Sequence, residues 1–470
     1  MTNLINLECI IDGMPAAGEG QVLIRDVDGK AIAEAPDLSS YELGRAVRVA
    51  RKARREIDAL SCHSLCDLFR QAADHYSDTF DVPIALARGG TLMRVTQGRA
   101  NTQAMLRSFD RIVENAFNGR LLQSKAGDLA ASHYFDPVGV VTVIPASTAR
   151  EIAPWAILSA LAVGNTVVAK LDSKEPFSVV ELEQALRSAG LPPGVLNTVF
   201  WDTDRMPEAG PRLLQITDKA VVFGWDQTIR KLAYQQVRDK LDPEVLEQLP
   251  IPRHVVAFGT GRSRALLFDV ANVDAAARSL AYAATFASSE CLKVQFVVVQ
   301  ESLRERFLDA YRRAASALRP GPLTDPATNV SQTAQEDRDF VRSVVDDAQK
   351  RGARKLFGGD VMCEPTLFDD LHEDSLMFKE ETPAPTLGIL TRRTLGEAIE
   401  LINRSVRAAE SKRSLAVAVY TDSDTTYRQC LTQVQAYRVT HNTPPIDVDH
   451  RCPHHGILLA RELTSIKGGR

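Results

Sequence analysis

No run in this chain is apolar and long enough to span a membrane. Its opening, Met1-Thr-Asn-Leu-Ile-Asn-Leu-Glu8, has neither the basic start nor the apolar stretch of a secretory leader. An excess of one charge is missing too: 56 Lys and Arg against 60 Asp and Glu leave a net charge of −4. So small a field recruits neither nucleic acid nor an anionic membrane. The 7 cysteines, an odd number scattered from Cys9 to Cys452, do not make a disulfide framework. Internal repeats and low-complexity tracts are absent. A reducing, cytoplasmic setting is expected, with thiols available for chemistry.

What is present is an ordinary globular composition, 44% hydrophobic and 25% charged over 470 residues. That length exceeds one core, so two or three domains are expected. Ile5 to Ala35 reads as short strands with turns at Asp12-Gly13 and Asp28-Gly29, and Ser39 to about Asn118 as helical. Arg120 to Asp136 reads as two strands around Lys125-Ala-Gly-Asp128. Strands at Val138–Ile144, Thr166–Ala169 and Leu196–Phe200 alternate with helices at Ala153–Val163 and Ser178–Ala189. That alternation is the mark of a doubly wound parallel sheet, which binds dinucleotides at its strand ends. From Val255 a second α/β alternation begins, with strands at Ala265–Phe268, Phe296–Val299, Leu415–Tyr420 and Ala436–Thr440.

Cys291 stands just ahead of the β-branched run Phe296–Val299. A thiol there is held on rigid scaffold and faces the domain's cleft, which is where a nucleophile belongs; the competing reading is a buried structural thiol. Cys62-His63-x-x-Cys66 lies in a helix without a second ligand pair. The cluster from Asp447 to His455 holds ligand-type side chains at a spacing that fits no compact zinc site. No metal is expected.

In order along the chain come Asp136-Pro-Val-Gly-Val-Val, Ala160-Leu-Ala-Val-Gly-Asn-Thr-Val-Val-Ala-Lys170, Ala189-Gly-Leu-Pro-Pro-Gly-Val-Leu-Asn197, Cys291 with Phe296–Leu303, and Glu380-Glu381-x-Pro-Ala-Pro385. With these, the sequence from about Leu43 to Glu462 resembles the aldehyde dehydrogenase superfamily. The resemblance implies an α/β fold with a Rossmann-type cofactor domain (1–118 and 138–257) and an α/β catalytic domain (258–436). A small oligomerisation hairpin with bridging segments (119–137 and 437–470) completes it. It implies Cys291 as nucleophile, Lys170 near the adenosine ribose, Gly224 in the phosphate turn and Glu381 on the nicotinamide ribose. The cofactor is NADP or NAD. Ser173, where NAD-preferring members carry a glutamate, and the adjacent Lys174 favour a 2′-phosphate; a solvated loop lysine is the alternative for Lys174. For Glu381 the alternative is a capping or surface carboxylate.

The departures are as informative. Ser147 replaces the asparagine that supports the oxyanion, either as a hydroxyl donor or as a cap for the following helix. Phe258 replaces the general-base glutamate, and Trp225 and Ile229 stand in the phosphate turn. Glu290, beside Cys291, is a poor substitute base, because in extended chain it would point away; otherwise it is a surface or loop charge. A thiol such as coenzyme A needs no base to activate water, and Gly259-Thr-Gly-Arg262 is similar to the coenzyme-A-acylating branch. Three readings therefore stand: interconversion of an aldehyde and an acyl thioester, conventional oxidation with a relocated base, or a degenerate binding or structural subunit. The partner is a small-molecule aldehyde or acyl thioester, with no nucleic acid or membrane; no local cluster of positive charge announces a substrate carboxylate. The chain is expected to stop short of the family's final strand and to form a homodimer.

Overall fold

The computed structural model describes residues 4–117, 123–126, 129–238, 249–406, 412–447 and 449–469. Val, Ile and Ala crowd the strands Val140–Ile144 and Thr166–Lys170, every residue of which is buried. Strands covered on both faces carry such continuous apolar runs. They sit in a five-stranded parallel sheet ordered Leu196–Val199, Thr166–Lys170, Val140–Ile144, Lys219–Phe223, Val255–Phe258. The helix Ile152–Ala162 is buried along its whole length. The strand order turns back between Val140–Ile144 and Lys219–Phe223, and a ligand crevice opens at the carboxyl ends of such a pair.

The second sheet has seven strands, ordered Arg354–Phe357, Thr366–Asp369, Thr386–Arg392, Val294–Gln300, Ser263–Leu267, Ser414–Tyr420, Ala436–His441. All neighbours are parallel except the Arg354–Phe357 edge. Its helices include Val273–Thr285, which leads down to Cys291.

Three details depart from the sequence reading. Val255–Phe258, where the second alternation was expected to begin, is a strand that closes the first sheet. Ala436–His441 forms the edge of the second sheet, so Tyr437–His441 are sheet residues and not bridging ones. Thr464–Gly469 forms a strand antiparallel to Leu129–Pro137, which also pairs with Gln123–Ala126. A third strand thus joins the hairpin from the chain's last described residues, which the sequence reading did not expect. Gly127 and Asp128 of the expected hairpin turn lie outside the described residues, as do residues 118–122. Among the described residues no helix is long and apolar enough to cross a membrane.

Candidate active site

Cys291 sits in the turn between the helix Val273–Thr285 and the strand Val294–Gln300. The turn is pinned from behind: the Ser288 amide and hydroxyl both meet the Ser331 hydroxyl, and Ser331 in turn donates to the Thr285 carbonyl. From the front, the loop Gly259–Ser263 lies directly on Cys291. A Cβ on Gly261 would collide with the Cys291 carbonyl, so only glycine fits. The Ser263 hydroxyl donates to that same carbonyl at 3.2 Å, and the Gly261 amide donates to Glu381 Oε2 at 2.7 Å.

A cavity of about 380 Å³ runs from the thiol to the strand ends of the first sheet. Cys291, Ser147, Lys170, Ser173, Lys174, Gly224 and Glu381 all line it. Seven residues drawn from across more than two hundred positions thus converge on one space. Burial, with Glu381 and Glu290 nearby, holds the Cys291 thiol well above its ordinary range, so the resting group is a neutral S–H. Burial also raises Glu381, against the Gly261 amide that favours its charge.

Ser147 lies on the cavity wall, where its carbonyl accepts from Arg88 Nε at 3.3 Å. It does not cap the next helix, which starts at Ile152 after Glu151. Phe258 is buried, its ring stacked on Phe223 at 4.6 Å and packed against Trp155, His454 and His455. An aromatic wall thus lines the cavity at Phe258.

Glu290 is no surface charge. It is buried between Arg94 (2.8 Å) and Arg88 (3.2 Å), and Arg94 also holds Glu151 at 2.8 Å. The backbone turns here rather than extending, which brings the carboxylate onto the arginines and away from any base role. Sequence reasoning missed both arginines. The signal for Arg88 was a charge directly after the apolar run Ile84-Ala-Leu-Ala87.

Toward the first sheet, Lys170 is buried and its ammonium lies over the rings of Phe200 and Trp201. Lys174 is not free: its ammonium meets Glu336 of the second lobe at 2.9 Å. The uncommitted positive charge expected for a 2′-phosphate is therefore already balanced. Ser173 follows Asp172, whose carboxylate accepts the Lys174 and Glu175 amides. The turn after Gly224 presents Trp225, whose ring meets Phe340 across the lobes, and Asp226, whose carboxylate accepts the Thr260 amide and pairs with Arg262. Among the described residues no three His, Cys, Asp or Glu side chains converge in a metal-binding group.

A thiol facing a crevice at the switch point of a parallel, doubly wound sheet defines a cysteine-bearing, two-lobed α/β architecture. Residues 15–459 match the model of the Aldehyde dehydrogenase family, and the chain belongs to that family. By type it is an NAD(P)-dependent oxidoreductase. It is 24% identical over 456 residues to malonate-semialdehyde dehydrogenase 3 of Geobacillus kaustophilus, covering 93% of this chain and 90% of that one. An NAD-dependent aldehyde dehydrogenase from Sinorhizobium meliloti superimposes with a TM-score of 0.85 at 21% identity, over 100% of this chain and 95% of that one. An NADP-dependent glyceraldehyde-3-phosphate dehydrogenase from Bacillus halodurans, complexed with NADP, gives 0.83 at 20%, over 99% of each.

Proposed function

We propose that this protein interconverts an aldehyde and an acyl thioester, with Cys291 as the nucleophile and a thiol, of which coenzyme A is one, as the acyl acceptor. The observation that carries this reading is Phe258. Of the carboxylates lining the cavity, Asp172 and Glu381 are engaged by backbone amides. Asp337 lies against Lys174. None stands ready beside the thiol to take a proton from water, and a positioned base is worth about 10²–10⁴-fold.

A dinucleotide in the cavity would be held by Lys170 and Ser173 on its adenosine side, Gly224 at its phosphates and Glu381 at its nicotinamide ribose, all of which line that space. A bound nicotinamide would supply the hydride acceptor. Cys291 loses its proton, bonds the carbonyl carbon and retains the acyl group as a thioester. Ser147 and the Cys291 amide face the oxygen that gains charge. The incoming thiol then bonds that carbon, the bond to Cys291 breaks, and a proton returns to its sulfur. We propose the five-stranded lobe as the cofactor domain and the seven-stranded lobe as the catalytic domain. The hairpin with Thr464–Gly469 we propose as the association element of a homodimer.

Product analysis tests the reading. With an aldehyde and NAD or NADP, one equivalent of reduced cofactor per Cys291 should form without thiol, and steady turnover to a thioester should begin when coenzyme A is added. Fast release of free acid without thiol would reject it.

A further inference from the structure

We infer that Lys293, just downstream of Cys291, is a positioning residue for Glu381: it holds the turn that carries this carboxylate and favours its charged form. The inference rests on Glu381 meeting the nicotinamide ribose, as proposed above. Lys293 is tied to both halves of the site. Its amide donates to the Glu290 carbonyl at 2.9 Å, closing the turn around Cys291. Its ammonium donates to the Thr382 carbonyl, next to Glu381, at 3.2 Å. The Thr382 amide in turn donates to Gln295 Oε1 at 3.0 Å, and that same oxygen accepts from the Lys293 ammonium. Both backbone groups of Thr382 are thus held by side chains of the segment that leaves Cys291. Glu381 itself accepts from the Gly261 amide.

Lysine is a poor choice for a purely structural pin here. Lys293 is buried, and the oxygens of Gln295, Thr382 and Thr386 that accept from it carry no charge. Burying an ammonium is unfavourable unless a counter-charge offsets it. Glu381 is the carboxylate that acts on Lys293, and Lys293 acts on Glu381 in return. Burial, opposed by Glu381 and helped by Arg264, brings the ammonium down to about 7. Burial raises Glu381, against the Gly261 amide, Arg262 and Lys293. Of the other charges facing Glu381, Arg262 is paired with Asp226 and Glu380, and burial lowers Arg264 only to about 9. The Cys291 thiol stays protonated well above neutrality. Lys293 therefore supports the Glu381 charge below about pH 7 and gives up that support above it. Ribose hydroxyls donate more strongly to a carboxylate than to a neutral carboxyl.

The test is binding of NAD or NADP by fluorescence titration from pH 6 to 8.5, without turnover. Lys293→Met should bind about tenfold more weakly than wild type at pH 6, and the gap should narrow to about threefold or less by pH 8.5. Thr386→Val removes one acceptor of the ammonium, and should show the same pattern with a smaller gap; it carries the test if the Met variant does not fold. Glu381→Gln should bind weakly at every pH, and adding Lys293→Met to it should change affinity little. A gap that is the same at every pH would make Lys293 a structural pin alone and overturn the inference, as would no gap, or a full further loss on the Glu381→Gln background. Wild-type affinity in Glu381→Gln would overturn the ribose assignment as well, so the two readings fail by different results.

Discussion

A Cβ added at Gly261 would run into the carbonyl of Cys291, whereas one added at Gly224 would meet nothing nearer than Thr228 Cβ at 3.8 Å. Both glycines line or flank one cavity, and they are glycine for different reasons. On the thiol side, backbone packs on backbone, and the buried set Arg88, Arg94, Glu151 and Glu290 holds the turn that carries Cys291. On the nucleotide side the wall is open, and its character is set by replaceable side chains, Trp225, Asp226 and Lys174. The thiol side is therefore the rigid half of the site, and the nucleotide side is the half that tolerates change.

The largest effects should fall on the rigid half. Glu290→Gln leaves two buried guanidinium groups facing a neutral amide, and should cost about 3–5 kcal/mol of stability in a urea titration. A loss below about 1 kcal/mol would mean that the cluster is not the support described here. Gly261→Ala must displace Cys291 to fit, and a misplacement near 1 Å costs about 10²-fold in rate. Turnover and Cys291 alkylation should fall together. Gly224→Ala in the same assay should cost far less, since its strain lies only in its φ of 154°.

Much of this was legible in advance, and the reason is local. The strands, the turns and the seven cavity-lining residues announce themselves through short apolar runs and motifs contiguous in sequence. What escaped depended on tertiary contact. Glu290 looked like a surface charge because its partners lie about two hundred positions upstream. Lys174 looked free because Glu336 reaches it from the other lobe. Val255–Phe258 was not picked out as a strand because so short a run carries no label for its neighbour, and only pairing with Lys219–Phe223 decides it.

The thiol itself offers the next contrast. Cys291 has a raised pKa, so below that value the reactive thiolate is a small fraction that grows with pH. Iodoacetamide labelling should rise about tenfold per pH unit through pH 9 without levelling. A plateau near neutrality would show a thiol already activated, and would remove the need for anything bound to shift it.

On the open half, Trp225→Ser should tighten NAD or NADP binding by about tenfold in a fluorescence titration, because the indole lines the cavity in the turn after Gly224 and leans on Phe340. Weaker binding in that variant would instead make Trp225 a contact for the cofactor. The smallest effect belongs to Glu336→Gln. Glu336 is about half exposed, so losing its pair with Lys174 should change stability by less than about 1 kcal/mol. What it should change is selection, since the freed ammonium can face a 2′-phosphate. The NADP-to-NAD ratio of kcat/KM should rise a few-fold at low salt, and that gain should shrink as ionic strength passes about 0.15 M. If the ratio stays flat at every salt concentration, Lys174 faces no part of the ribose, and the choice between the two cofactors rests on Ser173 and the turn that follows it.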